Sequence, residues 1–558
     1  MDDRDKLCVS NYEKAEGFSQ YFATVGVVDN GVVPLIADSD VNSQLSSIYF
    51  DSASVYNVIV NVNSKAAAGP DNIPPVVYKN LVFSLLYPLT ILFNIIMQLG
   101  VIPCSWKIAT IVPIFKKGVA SKPANYRPIS LTCTICKIFE AVIKSHLLSF
   151  ITDNGLISPS QHGFLKGHST CTNLLETFNN FGDFLNDSKD TLVAFTDFSR
   201  AFDCVSVVKL IYKLNSFGIR GSVLKCIESL LSGRSQNVKV GSTFSQIRPV
   251  ISGVAQGSVL GPILFILYIN DIVKCLPACS FSKFFADDMK SYMPIISDCS
   301  VNDFVTLLSS IEKWSNNWQL PLSVDKCNWM LISNRASTQN LSFTLCGLDL
   351  TQVDEVKDLG VLFNSKLSFS SHVSEIVAKA KQRLFLLRKC FTCCDCSTLI
   401  LAFKTYIIPM LEYCSPVWSP TAINEIFKIE SIQRNFTKSF QDCSHLSYSE
   451  RLTYCGLQSL EYRRLVADLV LFYKIVNSIT TINLGESISP LTNSCTRGHS
   501  RRFKLLPVRL NSRLHFFSYR TVKVWNKLSD KTVCSGSVAG FKQCLLDENL
   551  QEFLTFGF

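Results

Sequence analysis

Charge is what this chain has least of. Only 18% of its 558 residues are charged, against 47% hydrophobic. That balance excludes a chain disordered throughout, because disorder needs low hydrophobicity and high net charge. No secretory signal is visible, since Met1-Asp2-Asp3-Arg4-Asp5 is acidic and lacks an apolar core. The 22 cysteines are therefore expected to be reduced thiols, in a protein of the cytoplasm, the nucleus or both. Half of a zinc site is missing as well. Cys133 and Cys136 form one C-x-x-C and Cys390, Cys393, Cys394 and Cys396 a cluster, but no second pair follows at finger spacing. There is no internal repeat.

Acidic residues are the scarcer sign, 44 against 54 basic, and the net charge of +10 suits polyanionic partners, with a merely basic soluble protein as an equal alternative on charge alone. The apolar run 81–99 is long enough to cross a bilayer. Ser84, Tyr87, Asn94 and Gln98 draw a thin polar stripe along it and Pro88 interrupts it, so a buried helix is expected, with no transmembrane helix and no membrane partner.

Along the chain, residues 1–64 lack a strong period and read as a linker with short helices. A helical extension follows over 65–106. Strands are expected at 107–115 and 124–131, the second confined by Pro128 to an edge or a start. Helical patterns cover 135–150, 170–187 and the stretch near 205–232. A glycine-punctuated loop, 253–261, opens into Ile263–Ile269, which fits helix or strand; Pro262 at its start favours helix. Further strands surround residue 287 and lie near 328–334 and 356–363, a helix spans 302–318, and beyond 370 the pattern is mostly helical.

Two apolar runs end in bare carboxylates. Leu192-Val193-Ala194-Phe195-Thr196 runs into Asp197, and Phe284-Phe285-Ala286 into Asp287-Asp288. Burying an uncompensated charge costs several kcal/mol. Three carboxylates from two strand ends suit a hard divalent cation, which takes oxygen ligands and also binds phosphates. Phosphoryl transfer is the chemistry this points to.

The ordered set of segments is more specific. Phe195-Thr196-Asp197-Phe198-Ser199-Arg200-Ala201-Phe202-Asp203, then Gly253-Val254-Ala255-Gln256-Gly257-Ser258, then Phe285-Ala286-Asp287-Asp288 resembles the palm motifs of reverse transcriptases. Asn125-Tyr126-Arg127-Pro128, Gln161-His162-Gly163-Phe164, Lys357-Asp358-Leu359-Gly360-Val361 and Leu411-Glu412-Tyr413-Cys414-Ser415-Pro416 are similar to the jockey-type, non-LTR (LINE-like) retrotransposon polymerases. The similarity runs from about residue 65 to the C-terminus.

The resemblance implies an α+β, right-hand fold: fingers and palm over 107–365, a helical thumb-like region over 366–485, and a mostly helical, basic C-terminal region over 486–558. It implies an RNA template, a DNA primer or target, dNTPs and two Mg2+ ions, and leaves protein partners open. Asp197, Asp287 and Asp288 would be catalytic and hold the metals, with the Phe198 carbonyl completing one site. Lys116, Lys117, Arg127, Phe202, Gln256 and Gly257 would form the dNTP site. Phe202 would exclude a 2′-hydroxyl, or else be a core phenylalanine; Lys116 and Lys117 would meet the triphosphate, or else be solvated turn residues. Lys326 would protonate pyrophosphate unless it is a plain surface lysine. Leu359, Gly360 and Val361 would form the primer grip. His168 stands where the family more often has arginine.

From 497 to 527 there are nine Lys/Arg and no Asp or Glu, with Phe503, Phe516, Phe517, Tyr519 and Trp525 interleaved. Cations on phosphates with aromatics on bases would make Arg497, Arg501, Arg502, Lys504, Arg509, Arg513, Arg520 and Lys523 a nucleic-acid surface; a solvated basic face is the alternative. The family's upstream endonuclease does not fit before residue 65, so a truncated copy, a fragmentary gene or a polymerase relying on nicks made by others is expected. The leading expectation is an RNA-directed DNA polymerase. A catalytically idle, element-derived nucleic-acid-binding protein is the alternative. A viral RNA polymerase is disfavoured by Phe202 and by Ala286 before the paired aspartates.

Overall fold

The computed structural model describes residues 8–36, 43–297, 299–335, 341–391, 395–485, 488–491, 499–505 and 507–556; Cys393, Cys394 and Arg497 lie outside them. Four helices come first: α1 (Asn11–Thr24), α2 (Ser52–Val60), α3 (Pro75–Asn80) and α4 (Val82–Leu99). The short helices expected within 1–64 form as α1 and α2, and both pack on the rest of the chain. α1 starts on a capping box, with the Ser10 hydroxyl accepting from the Glu13 N–H and the Glu13 carboxylate from the Ser10 N–H. It buries Phe22 against Ile111 and Val238 and pairs Glu16 with Arg248. α2 puts Val55 and Ile59 into the main core.

The buried helix expected at 81–99 forms as α4, but only one side is covered. Leu89, Phe93, Ile96 and Met97 face the core, while Phe83 and Tyr87 are 82% and 72% exposed. Asn94 of the polar stripe turns inward, accepting from the Phe50 N–H at 3.0 Å and donating to its carbonyl at 2.8 Å. α4 passes by length and composition as a membrane-crossing helix, as a soluble core helix also can.

The chain then runs β1 (Ile108–Phe115), β2 (Tyr126–Leu131), α5 (Thr134–Asp153), α6 (Thr170–Asn186), β3 (Thr191–Thr196), α7 (Val207–Ser216), α8 (Gly221–Leu231), β4 (Arg234–Val240), β5 (Thr243–Phe244) and β6 (Arg248–Val250). The single helix expected near 205–232 is two, because Gly218 takes φ +84° and turns the chain between them. After α9 (Gly261–Ile269), which Pro262 opens as a helix, come β7 (Phe281–Phe285), β8 (Asp288–Pro294), α10 (Ser300–Trp318), β9 (Asn328–Ile332), β10 (Thr344–Leu345), β11 (Leu348–Asp349), β12 (Thr351–Gln352), β13 (Glu355–Asp358), β14 (Val361–Asn364) and α11 (Ser370–Cys390).

Two five-stranded sheets organise this mixed α/β chain. The first has the order β2-β1-β4-β5 with β6 on β4, and Pro128 sits on its edge strand. The central sheet has the order β12-β9-β3-β8-β7. Its middle strand, β3, is buried on both faces. Leu192 and Ala194 enter a core shared with α4, α5, α7, α8 and α9. Val193, one residue out of phase, enters a second core with Tyr292, Met330 and Phe363.

That second core extends to the end of the described chain. Phe472, Phe503, Phe517, Trp525 and Phe541 belong to it along with the back of the central sheet. The regions expected as 366–485 and 486–558 therefore share one interior. The aromatics expected to stack on bases are corrected: Phe503, Phe517, Tyr519 and Trp525 are all buried. Arg513 is corrected likewise, being 3% exposed and bonded to Asp183 at 2.6 Å and Asn179 at 2.9 Å on α6. Arg520 grips buried Asp468 with two bonds, 2.8 and 3.1 Å. Arg501 donates to the Asn477 side chain at 3.1 Å and Arg502 is half-buried, leaving Lys504, Arg509 and Lys523 exposed with their charge outward. Trp525→Ala is expected to cost about 3–5 kcal/mol in urea denaturation. Exposed Lys523→Ala, on the same helix, should cost no more than about 0.5 kcal/mol. Similar losses from the two would contradict this packing.

Candidate active site

Strand register brings the carboxylates together. β3 and β8 are antiparallel with Thr196 opposite Met289, so Asp197, the next residue, comes across from Asp288. β7 and β8 form a hairpin in which Phe285 faces Asp288, leaving Ala286-Asp287 as a two-residue turn. Ala286 has φ +60°, at the turn position where glycine is the ordinary choice. The β3 end is held in turn by Leu320–Ser323: the Ser199 N–H donates to the Pro321 carbonyl at 2.7 Å and the Ser323 N–H to the Asp197 carbonyl at 2.8 Å. Phe198 sits in the bridge between them, across from Leu322, with its ring buried.

Asp197 and Asp288 line a cleft of about 330 Å³ whose walls carry six lysines: Lys116, Lys117, Lys283, Lys290, Lys326 and Lys357. Four of these are neutralised within the protein. Lys283 pairs with Glu176, Lys290 with Asp358, Lys357 with Glu375 at 2.7 Å and Lys326 with Asp197 at 2.6 Å. Among the described residues Lys116 and Lys117 have no carboxylate partner. They stand exposed where β1 ends, and the Lys116 N–H is bonded to the Asn125 carbonyl. Lys116 and, across the β1–β2 pair, exposed Arg127 both act on the charge of Asp287.

The carboxylates oppose one another electrostatically. Burial raises Asp287, repulsion from Asp197 adds to this, and Lys116 and Arg127 work against it. Loss of surrounding water, then repulsion from Asp287, Asp197 and Asp358, lifts Asp288, whose side chain still reaches solvent, to about 6. Three mutually repelling oxygen-donor groups beside a cleft fit a hard divalent cation by their chemistry. They do not yet close on a common point: among the described residues no three His, Cys, Asp or Glu side chains gather as a ligand set. The Lys326 ammonium meanwhile supplies Asp197 with a counter-charge.

The glycine loop runs between the segment after β3 and β2. Gly253 and Val254 donate to the carbonyls of Val205 and Phe202 at 2.7 and 2.8 Å, fastening the loop to the segment after β3. Gly257, at φ +122°, lies so close to β2 that a Cβ would come 2.5 Å from the Ser130 carbonyl oxygen. The Gln256 amide donates to both oxygens of Asp203 at 3.0 and 3.1 Å, so its side chain is occupied within the protein. Phe202 is half-buried and stacks on Phe265, ring centroids 4.4 Å apart. Phe164 packs T-shaped against it as well, ring centroids 6.2 Å apart, so Phe202 has ring partners and stays only partly exposed.

Leu359 and Gly360 form the two-residue turn of the β13–β14 hairpin, with φ +44° and +88°. The turn is pinned by Tyr413, whose hydroxyl lies 2.9 Å from the Leu359 carbonyl oxygen. Val361 is fully buried and anchors the hairpin instead of facing the cleft. Three residues with a part in this geometry carried no expected role. Asp358 ties the hairpin to β8 through buried Lys290. Glu140, buried on α5, accepts from the Val259 and Leu260 N–H groups at 2.7 and 2.9 Å and anchors the loop that leads into α9. A lysine inside the apolar run Met289–Met293 and a lone glutamate between Phe139 and Ala141 are the signals that could have found two of them.

Residues 114–363 match the family described as Reverse transcriptase (RNA-dependent DNA polymerase). The chain is 28% identical over 405 residues to the probable RNA-directed DNA polymerase from transposon X-element of Drosophila melanogaster, covering 71% of this chain and 44% of that protein. It is 27% identical over 397 residues to the RNA-directed DNA polymerase from mobile element jockey of the same fly, covering 68% and 42%. A retrovirus-related Pol polyprotein from the type-1 retrotransposable element R1 of Bradysia coprophila is 26% identical over 333 residues, 57% of this chain and 32% of that protein. The chain thus spans less than half the length of these relatives.

The raised Asp288 carboxyl has a consequence for stability. Its folded value, about 6, exceeds the ordinary 3.8, so the folded state holds its proton more tightly than the unfolded chain does. Stability is lost as pH rises from the ordinary carboxylate range to about 6. In metal-free buffer Asp288→Asn should melt above the wild type at about pH 8, with the gap closing below about pH 4. A gap that stays constant with pH would show that Asp288 is not held this way.

Proposed function

We propose, for a chain that carries a reverse transcriptase domain over residues 114–363, that it is an RNA-directed DNA polymerase of a non-LTR retrotransposon, extending a DNA 3′ end with dNTPs on an RNA template. The observation that carries this is the β3–β8 register, which sets Asp197 across from Asp288 in a lysine-walled cleft. In this reading the central sheet is the palm, the first sheet the fingers, and the helices after Ser370 the thumb.

Asp197, Asp287 and Asp288, with the Phe198 carbonyl, would hold two Mg2+ ions. When bound, such ions lower the pKa of the primer hydroxyl and neutralise charge on the triphosphate and the leaving pyrophosphate. The protein's own part is placement. Lys116 and Lys117, the two cleft lysines with no carboxylate partner among the described residues, and Arg127 would orient the triphosphate by charge and hydrogen bonding. Phe202, braced from behind by Phe265, would present a ring edge where a 2′-hydroxyl would stand. Gly257 lets the loop approach β2 closely, and Gln256, through Asp203, keeps that loop in register under the nucleotide. Lys326 would exchange its bond to Asp197 for one to the departing pyrophosphate and supply a proton there. The Leu359-Gly360 turn, fixed by Tyr413 and Val361, would hold the primer end. Lys504, Arg509 and Lys523 would extend the contact along the nucleic-acid backbone.

The Lys326–Asp197 pair also favours a second reading, a nucleic-acid-binding protein without catalysis, because it already neutralises one member of the carboxylate set. Primer extension separates the two. With poly(rA), oligo(dT), Mg2+ and dTTP, the wild type should make product and the Asp287→Ala/Asp288→Ala variant none. Folded wild type without product would leave only the binding reading. Phe202→Ala should raise ribonucleotide use relative to dNTP by about 10-fold or more; an unchanged ratio would return Phe202 to a purely packing role. Replacing Lys504, Arg509 and Lys523 by Ala should reduce the slope of log affinity against log salt for RNA by about 2–3. An unaltered slope would place the nucleic acid elsewhere.

A further inference from the structure

The segment 160–163 lies alongside β7 and cradles the turn that carries the paired aspartates. The Phe284 N–H donates to the Ser160 carbonyl and the His162 N–H to the Phe284 carbonyl, both at 2.9 Å, forming a parallel bridge between Gln161 and Phe284. Gln161 is 3% exposed. Its Oε1 accepts from the Ala286 N–H at 3.1 Å and from the Gly163 N–H at 2.7 Å. Its Nε2 donates to the Ala286 carbonyl at 3.4 Å. Two N–H donors on one oxygen fix which way the amide points, since the flipped side chain would set its NH2 against both. Gly163 has to be glycine for the same reason of proximity, because a Cβ there would overlap the Ala286 nitrogen.

Ala286 is where help is needed. An alanine at φ +60° is in a conformation that L-residues disfavour. It is buried, so water cannot serve its backbone. One glutamine side chain satisfies both its N–H and its carbonyl. The next two residues are Asp287 and Asp288, so the rotation of this peptide sets where both carboxylates project.

We propose that Gln161 is a positioning residue: its amide clamps Ala286 in the left-handed conformation and thereby aims Asp287 and Asp288 into the cleft. The inference rests on the polymerase reading for its consequence in turnover, but its geometric content is independent of that reading.

The test uses the full chain as Gln161→Leu, Gln161→Glu and Gln161→Leu/Ala286→Gly, with four measurements: turnover on poly(rA)/oligo(dT), primer–template affinity by anisotropy, Mn2+ binding by electron paramagnetic resonance, and melting temperature. Gln161→Leu should lower kcat by about 10- to 100-fold, as expected for a small misplacement of reacting groups, while primer–template affinity stays within about twofold. Mn2+ affinity should fall about 10-fold in parallel. Gln161→Glu keeps the acceptor for both N–H groups and should retain more activity than the leucine variant. Glycine adopts positive φ without a clamp, so Ala286→Gly in the Gln161→Leu background should recover about fivefold or more of the lost turnover and Mn2+ affinity. A Gln161→Leu protein that melts lower but binds Mn2+ and turns over as the wild type does would make the residue structural only and overturn the proposal. So would a glycine that restores melting temperature but neither Mn2+ affinity nor turnover. If the wild type makes no DNA, the polymerase reading fails by itself, and the Mn2+ arm still decides on Gln161. A wild type that binds no Mn2+ removes the ligand set and overturns the proposal.

Discussion

Everything in the cleft depends on one strand that cannot slip. β3 sends Leu192 and Ala194 into one core and Val193 into the other. A shift of one residue would exchange the two sets and leave both cores misfilled. Because its register is locked from both sides, the carboxylate at its end is delivered to a fixed point. β8 is locked against it, and Asp288 at its start arrives opposite Asp197. Precision at the site is thus set by apolar packing on either side of a sheet, well away from any charged atom.

Against that rigid frame stands an unfavourable concentration of charge. Asp287 and Asp288 are both held above their ordinary range by loss of surrounding water and by like-charged neighbours. The surrounding lysines do not cancel this evenly. Four are bound to carboxylates of the protein, two of them in nearly dry pairs that join the central strands to α6 and to the β13–β14 hairpin. The pairs act as struts, and only the exposed lysines after β1 present charge outward. A site built this way is poised for ligands that bring both signs at once, as a triphosphate with its counter-cations does.

Much of this was legible in the amino-acid sequence, and the reasons are local. Apolar runs ending in Asp197 and in Asp287-Asp288 announce strands with carboxylates at their tips, because few other arrangements tolerate them. Pro128 marked an edge strand and Pro262 a helix start through their missing N–H groups. What was not legible depended on distance. Whether Trp525 and Phe517 lie on a surface or in a core is decided by whether Phe472 and the back of the central sheet come to meet them. Arginines 513 and 520 have the composition of a nucleic-acid contact, yet Asp183 and Asp468, 330 and 52 residues away, claim them. The first 64 residues show no strong period, but α1 needs only Phe22 and a capping box to settle on the first sheet. Gln161 was visible as part of a phrase, but its task appears only when Ala286 is seen at φ +60° beside it.

The way the C-terminal aromatics enter the interior bears on how this gene can decay. Premature stops and frameshifts near the 3′ end of a coding sequence remove the end of its protein first. Were the last sixty residues a trailing arm, such lesions would leave a shorter but still folded protein. Instead, losing Trp525, Phe541 and Leu550 strips one wall from the core that backs β3 and β8. A late stop codon would therefore act on the aspartates from behind, through the sheet, whereas missense changes at exposed Lys504 or Arg509 would drift with little penalty to folding. The far end of the chain is thus part of the scaffold that backs the paired carboxylates.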